Sequence, residues 1–366
     1  MPPIAATASG AGTLVFRAAT ALVAGLESFT AAGSSFVFGP LFSTAGFAIV
    51  THVLPVIVFL GSLFAMLFHV GLVQRVIAVL AAVLSRTLRT SGAESLCAAA
   101  TIFVGMVEAP LLVRPYVERM TRSELFCVMA TGMSTIAGSV MVVYAGMLGE
   151  GYAGHLLTAS LLAAPGGVLL AKVMLPETEK PLTAEATGAL VEEHAANLID
   201  AAASGAIAGL RLAGYVGAML IAFVALIAMA NAALGTVGGW VGRPDLTFQL
   251  VLGWCFAPLA WLVGVPSADV TKVGALLGMK TVLNEFIAYQ ELSKLLAAGA
   301  LSRRAGVLAS YALCGFANFG SLAILLGGLG ALAPSRRGEV AALGLRSILV
   351  GTLATLSAAC WAGILL

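Results

Sequence analysis

The chain has 366 residues, of which 60% are hydrophobic and only 10% charged. An average soluble domain carries about a quarter charged residues, so this composition cannot clothe a water-exposed surface, and the chain reads as a polytopic membrane protein. Its 19 basic and 17 acidic residues leave a net charge of +2, which excludes the concentrated basic footprint of a nucleic-acid binder.

A helix needs about 20 apolar residues to cross the hydrocarbon core. Residues 1–40 meet this weakly. The piece 12–28 suggests an amphipathic interfacial segment or an ill-ordered start, and no basic region with a cleavage site marks a signal peptide. Apolar runs then follow near 45–72, 125–149, 153–174, 211–236, 247–266, 307–333 and 341–366, with interrupted ones near 92–113 and 270–300. They are continuous and rich in Ala, Leu and Gly rather than alternating, which predicts an all-α fold and not a barrel. The polar segment 175–200 holds Glu177, Glu179, Glu185, Glu192, Glu193 and Asp200 with Pro176 and Pro181. It reads as a solvated connection between two membrane halves, 41–174 and 201–366.

The first interrupted run is flanked by Arg86 and Arg89 before it and by Arg114, Arg119 and Arg122 after it. Arginines favour the cytoplasmic side, so both ends are expected at one face. That makes the run a re-entrant hairpin with Glu108-Ala109-Pro110 at its turn, tolerated only where buried in protein or lining a wet cavity. The second run, Gly278 to Phe286, likewise places a carboxylate, Glu285, in apolar surroundings. After each hairpin a pattern repeats: ATGMSTIAGS from Ala130 to Ser139 and ALCGFANFGS from Ala312 to Ser321. Small and hydroxyl residues there predict helices that unwind in mid-membrane. Two hairpin-plus-broken-helix units are the sequence sign of a secondary transporter built from repeats.

An ionisable residue in mid-membrane needs a partner or a task. Glu108 and Glu285 are the leading candidates, against the alternative that each caps broken backbone or pairs with Lys280 or Lys272. Two carboxylates in matching repeats suit a hydroxylated solute, because charge-assisted hydrogen bonds are strong. Asn318 and Ser321, at i and i+3, can face the same cavity. Other polar residues take plainer readings. Glu27 and Glu94 are expected to be solvated near helix ends, and Arg303, Arg304, Arg336 and Arg337 mark loop ends. Cys97, Cys127, Cys255, Cys314 and Cys360 lie in apolar runs and read as small buried residues. His52, His69, His155 and His194 have no metal-ligand spacing, and none sits beside a broken helix as a general base. No enzyme chemistry is expected.

At these residues the chain resembles the concentrative nucleoside transporter family. Gly278-Met279-Lys280-Thr281-Val282-Leu283-Asn284-Glu285-Phe286-Ile287-Ala288-Tyr289 is similar to that family's signature, with Ile287 for Val. Glu108 to Tyr116 resembles its first hairpin, and Cys314 to Phe319 with Gly327 to Gly330 its later broken helix. The resemblance implies inverted repeats, a scaffold with a moving transport domain, a lipid-embedded homotrimer, and cation-driven nucleoside uptake at the inner membrane. It implies no cofactor beyond a coupling ion, H+ or Na+. Carried over by motif, Glu108 and the backbone near Gly105 lie by the nucleobase, Val140 and Phe316 pack against it, and Glu285, Asn318 and Ser321 hold the ribose. Thr101, Val104, Thr135 and Ile136 would frame the cation, the one place for a metal ion, a sodium.

Three departures carry expectations. The family's Gly-Gln-Thr-Glu is here Gly105-Met106-Val107-Glu108, which removes two polar base-reading side chains and predicts broad base tolerance. The usual Asn at the cation position is Thr101, which tilts the expectation toward protons. Many bacterial members also carry two N-terminal helices that this sequence does not show. The resulting expectation is a nucleoside:cation symporter; a transporter of another hydroxylated solute, or a non-transporting nucleoside-binding sensor, is the alternative.

Overall fold

The computed structural model describes residues 10–39, 41, 49–149, 151–183, 195–240, 242–243 and 245–366. Among them there are helices and turns but no strands, as continuous apolar runs require. The first helix, α1 (Gly10–Phe38), has a portion, Phe16–Phe38, long and apolar enough to cross a bilayer. The sequence suggested an interfacial segment over 1–40; residues 1–9 and 40 lie outside the described residues. Glu27 is not a solvated helix end: it sits within α1, half-buried, its carboxylate against Gly146.

Two series of elements then follow in the same order. The first begins with a π-helical turn, Ile49–Val53, and α2 (Leu54–His69), then α3 (Leu72–Leu88). Next come α4 (Gly92–Ala100), the short α5 (Glu108–Leu111) and α6 (Arg114–Val117), and a helix interrupted between α7 (Arg122–Ser134) and α8 (Gly138–Leu148). Helix α9 (Tyr152–Met174) closes the series. The second runs α10 (Leu198–Trp240), α11 (Phe248–Leu262), a pair α12 (Val270–Val282) and α13 (Glu285–Ala297), an interrupted helix α14 (Arg303–Ala312) and α15 (Phe319–Leu332), and α16 (Arg337–Leu365).

Packing follows the same scheme in both. The opening helices α2 and α10 lie against each other. They meet at glycines: a Cβ on Gly61 would stand 2.6 Å from the Gly205 carbonyl, so only small residues let the backbones come this close. Helix α3 covers α4 as α11 covers α12, and the closing helices α9 and α16 pack on α7 and α14. Helices α9 and α16 also pack together, and α16 reaches across to α7. Together these contacts gather both interrupted helices at the centre. At 43 residues, α10 is about 65 Å long, roughly twice the hydrocarbon thickness.

The starts of α4 and α7 are fixed locally by two capping boxes, Ser91 with Glu94 and Thr121 with Glu124. These four side chains are buried, so Glu94 is not solvated as expected; its carboxylate meets the Lys172 ammonium at 2.5 Å. Nor does the connection from residue 175 begin as a free loop. The Thr121 hydroxyl donates to Glu177 at 2.7 Å, Lys172 lies 3.6 Å from Glu177, and the buried Thr183 hydroxyl bonds both Ser91 and Glu124. Polar groups taken out of water must be paired, and this stretch supplies the partners. Glu185, Glu192, Glu193 and His194 lie outside the described residues.

Candidate functional site

The sequence patterns around Thr135 and Asn318 do interrupt helices. After Ser134 the backbone is extended at Thr135 (φ −122°, ψ 169°), and α8 begins at Gly138. After Ala312 the chain leaves the helix until Asn318 (φ −148°, ψ 166°) caps α15. The two gaps touch: the Phe316 N–H donates to the Thr135 carbonyl at 3.2 Å. Gly315 makes this approach possible, since a Cβ there would press on the Met133 and Ser134 carbonyls at about 3 Å.

Breaking a helix inside an apolar body frees carbonyls and N–H groups that need partners. Lys280, buried in α12, supplies one answer: its ammonium donates to the Ala312 carbonyl at 2.9 Å and to the Thr355 hydroxyl at 3.0 Å. Asn318 supplies another, its Oδ1 accepting from the Ser321 N–H at 2.7 Å. Asn284 does the same for α13, accepting from the Ile287 N–H at 2.9 Å. These are N-cap bonds, and they explain why Asn stands at each helix start.

Glu285 is the first residue of α13, where the helix dipole favours a carboxylate. It is buried, and both oxygens are engaged. Asn318 Nδ2 donates to Oε2 at 2.8 Å, and the Tyr144 hydroxyl of α8 donates to Oε1 at 2.9 Å. The Tyr144 ring stacks on Tyr289 with centroids 4.2 Å apart, and the Tyr289 hydroxyl donates to the Ser310 carbonyl at 2.7 Å. One Asn therefore joins a helix cap to the carboxylate, and one Tyr joins the first series of helices to the second.

The first-hairpin residues form a second group. The Thr135 hydroxyl donates to the Thr101 carbonyl at 3.0 Å, and the Thr101 hydroxyl donates to Ala98 at 2.8 Å. The Gly138 N–H donates to Phe103 at 3.0 Å, which locks the turn after α4 onto the break between α7 and α8. Ile136 is buried at that break and Val104 half-buried in the turn. Glu108 is exposed at the start of α5, its carboxylate folded back over Gly105. Met106 is buried against Gly132, whereas Val107 lies against Gly328 of α15. Val140 and Phe316 are half-buried, and Phe316 borders both halves of the apolar core.

Glu285, Asn318 and Ser321 are thus brought together directly, as are Thr101 and Thr135, and the Phe316–Thr135 bond joins the two groups. The two carboxylates differ in setting, Glu285 buried and doubly bonded, Glu108 exposed. Sequence reasoning passed over Tyr144, because a single Tyr in an apolar run reads as an interface anchor. Its i+4 spacing from Val140 was the available signal.

Comparison with known proteins finds relatives over nearly the whole chain. The family described as "Na+ dependent nucleoside transporter C-terminus" matches residues 155–363, and the one described as "Nucleoside recognition" matches residues 50–151. An uncharacterized transporter of Haemophilus influenzae is 47% identical over 97% of this chain and 86% of its own length. Sodium/nucleoside cotransporter 1 of Sus scrofa is 43% identical over 92% of this chain, which spans 54% of that longer protein. The structure of CNTnw in an inward-facing substrate-bound state superposes with a TM-score of 0.90 at 45% identity, covering 98% of this chain and 86% of CNTnw.

Proposed function

The chain belongs to the concentrative nucleoside transporter family, and on that premise we propose that it imports nucleosides across the inner membrane by symport with a cation. The observation that carries the reading is the buried Glu285 carboxylate, held by Asn318 and Tyr144 where the helices are interrupted. A carboxylate oxygen has two lone pairs, and each here has given one to a protein donor. The others accept from ribose hydroxyls. Asn318 and Ser321 stand one helical turn apart beside it and complete the sugar subsite.

The base lies toward the first hairpin, near Glu108 and the Gly105 backbone, with Val107, Val140 and Phe316 as its apolar walls. Met106 supports this wall from behind, since its side chain is turned into the core against Gly132. Thr101 and Thr135, already in contact, frame the cation position with the backbone at Val104 and Ile136. The hairpins are re-entrant in this reading, and the long exposed apolar face of α10 serves lipid and the contacts of a homotrimer.

Radiolabelled uridine and adenosine uptake into proteoliposomes, with pH and sodium gradients imposed separately, tests the proposal. Uptake above the passive level that depends on one of the two gradients is the expected result. Equal uptake with and without the protein under both gradients would refute it.

A further inference from the structure

We propose that Tyr144 is the positioning residue of the sugar subsite: its hydroxyl holds Glu285 in the orientation that receives ribose. This rests on the reading of Glu285 as the ribose acceptor, and it adds a residue from the opposite half of the chain to that site.

A buried carboxylate can turn about its side-chain torsions and lose its alignment unless both oxygens are held. Asn318 holds one oxygen of Glu285 at 2.8 Å and Tyr144 the other at 2.9 Å. Asn318 is itself fixed, because its Oδ1 caps α15 through Ser321. Tyr144 is fixed differently. It is fully buried, its ring lies on Tyr289 at 4.2 Å and 23°, and Phe286 meets it edge-on at 5.9 Å. Tyr289 is anchored in turn by its bond to the Ser310 carbonyl of α14. The hydroxyl that meets Glu285 thus belongs to a stack tied to three helices, α8, α13 and α14. A donor with so little freedom fixes the carboxylate with little further loss of entropy, the condition a preorganised site requires.

A phenol with one proton to give leaves one lone pair on the same oxygen of Glu285 for the substrate. Tyr144 therefore supports the substrate's bond without taking its place. Removing the hydroxyl leaves the carboxylate held on one side only, and binding ribose must then supply the missing order.

The test compares wild-type protein and Tyr144→Phe in proteoliposomes, with a ribonucleoside and its 2′,3′-dideoxy analogue as substrates. The Phe ring keeps the stack on Tyr289. The KM for the ribonucleoside should rise by about tenfold with little change in maximal rate, the scale expected for one hydrogen bond to a charged group. The KM for the dideoxy analogue, which brings no hydroxyl to Glu285, should stay within about twofold. Tyr289→Phe, which removes a hydroxyl from the same stack but not from Glu285, should leave the ratio of the two KM values unchanged.

Equal KM shifts for both substrates in Tyr144→Phe would overturn the proposal, because they would mark general packing. So would an unchanged ribonucleoside KM, or a ratio that moves as far in Tyr289→Phe. A wild-type protein that transports no nucleoside would overturn the functional reading together with it, whereas normal wild-type transport with an indifferent Tyr144→Phe would overturn this proposal alone.

Discussion

The Lys280 ammonium donates to the Ala312 carbonyl at 2.9 Å, so a buried cation closes the end of the first half of an interrupted helix. It lies five positions before Glu285 in the sequence, yet its hydrogen bonds go to the backbone of α14 and to Thr355. The cation offsets the negative end of the α14 dipole and satisfies a carbonyl that water cannot reach.

Replacing Lys280 by Met shortens the unbranched side chain by only one atom and removes its donors. The Ala312 carbonyl and Thr355 then lose a partner in a buried place, a loss of about 1–3 kcal/mol. The melting temperature of the detergent-solubilised protein should fall by several degrees at a fixed scan rate. A Lys280→Met protein that melts like the wild type would remove the capping role.

Glu285→Gln keeps the shape of the side chain and replaces charge-assisted hydrogen bonds by neutral ones. Each such bond is worth about 1.5–3 kcal/mol, so nucleoside affinity should drop at least about tenfold. Calorimetric titration of the folded variant with uridine and adenosine reads this directly, and unchanged affinity for both would end the ribose assignment.

Glu94 and Lys172 form an ion pair at 2.5 Å, with Glu94 almost fully covered and Lys172 partly open to solvent. Removing Lys172 strands the buried Glu94, whereas Lys172 without Glu94 keeps Glu177 at 3.6 Å and Ser123 at 2.9 Å. Lys172→Met should cost about 2 kcal/mol, less than a fully buried pair would lose, Glu94→Gln should cost less than that, and the double variant should cost less than their sum. Additive losses would show that the two residues act independently.

Met106 and Val107 bring no side-chain hydrogen bonds to the base, and a wall without directional contacts discriminates weakly between isosteres. Purine and pyrimidine nucleosides should compete for uptake with inhibition constants within about tenfold of each other. Val107→Thr, on the half-buried position beside Gly328, should sharpen the discrimination. Strict selectivity for one base class in the wild type contradicts this.

A sodium ion wants several oxygen ligands, and an amide carbonyl is a better one than the shorter hydroxyl of Thr101. The expected coupling is therefore to protons. Uptake at fixed membrane potential should be driven by a pH gradient without sodium. Uptake that stops without sodium and ignores pH would show that Thr101 and Thr135 still complete a sodium site.

Composition alone gave the membrane class, and the two repeated small-residue patterns located both helix interruptions, because Gly, Ser and Asn there contradict the apolar runs around them. The pair Asn318 and Ser321 was legible from its spacing, although Asn318 caps the helix rather than lying within it. Long-range partners were not legible. Tyr144 meets Glu285, and Lys172 meets Glu94, across stretches of chain that no periodicity connects. Glu94 looked solvated because an acid near a helix end usually is. Its burial comes from α9 and the connection folding over it, a tertiary fact without a local signature.

Thr183 touches the caps of two helices at once, Ser91 before α4 and Glu124 in the first turn of α7. The stretch from Ser91 to Glu124 therefore begins and ends on a single hydroxyl and is closed like a noose. Closing such a loop costs entropy that grows only with the logarithm of its length, and the bonds of Thr101 and Phe103 to the break between α7 and α8 share in holding the excursion. Its amides should consequently open to hydrogen exchange as one cooperative unit and not residue by residue from either end.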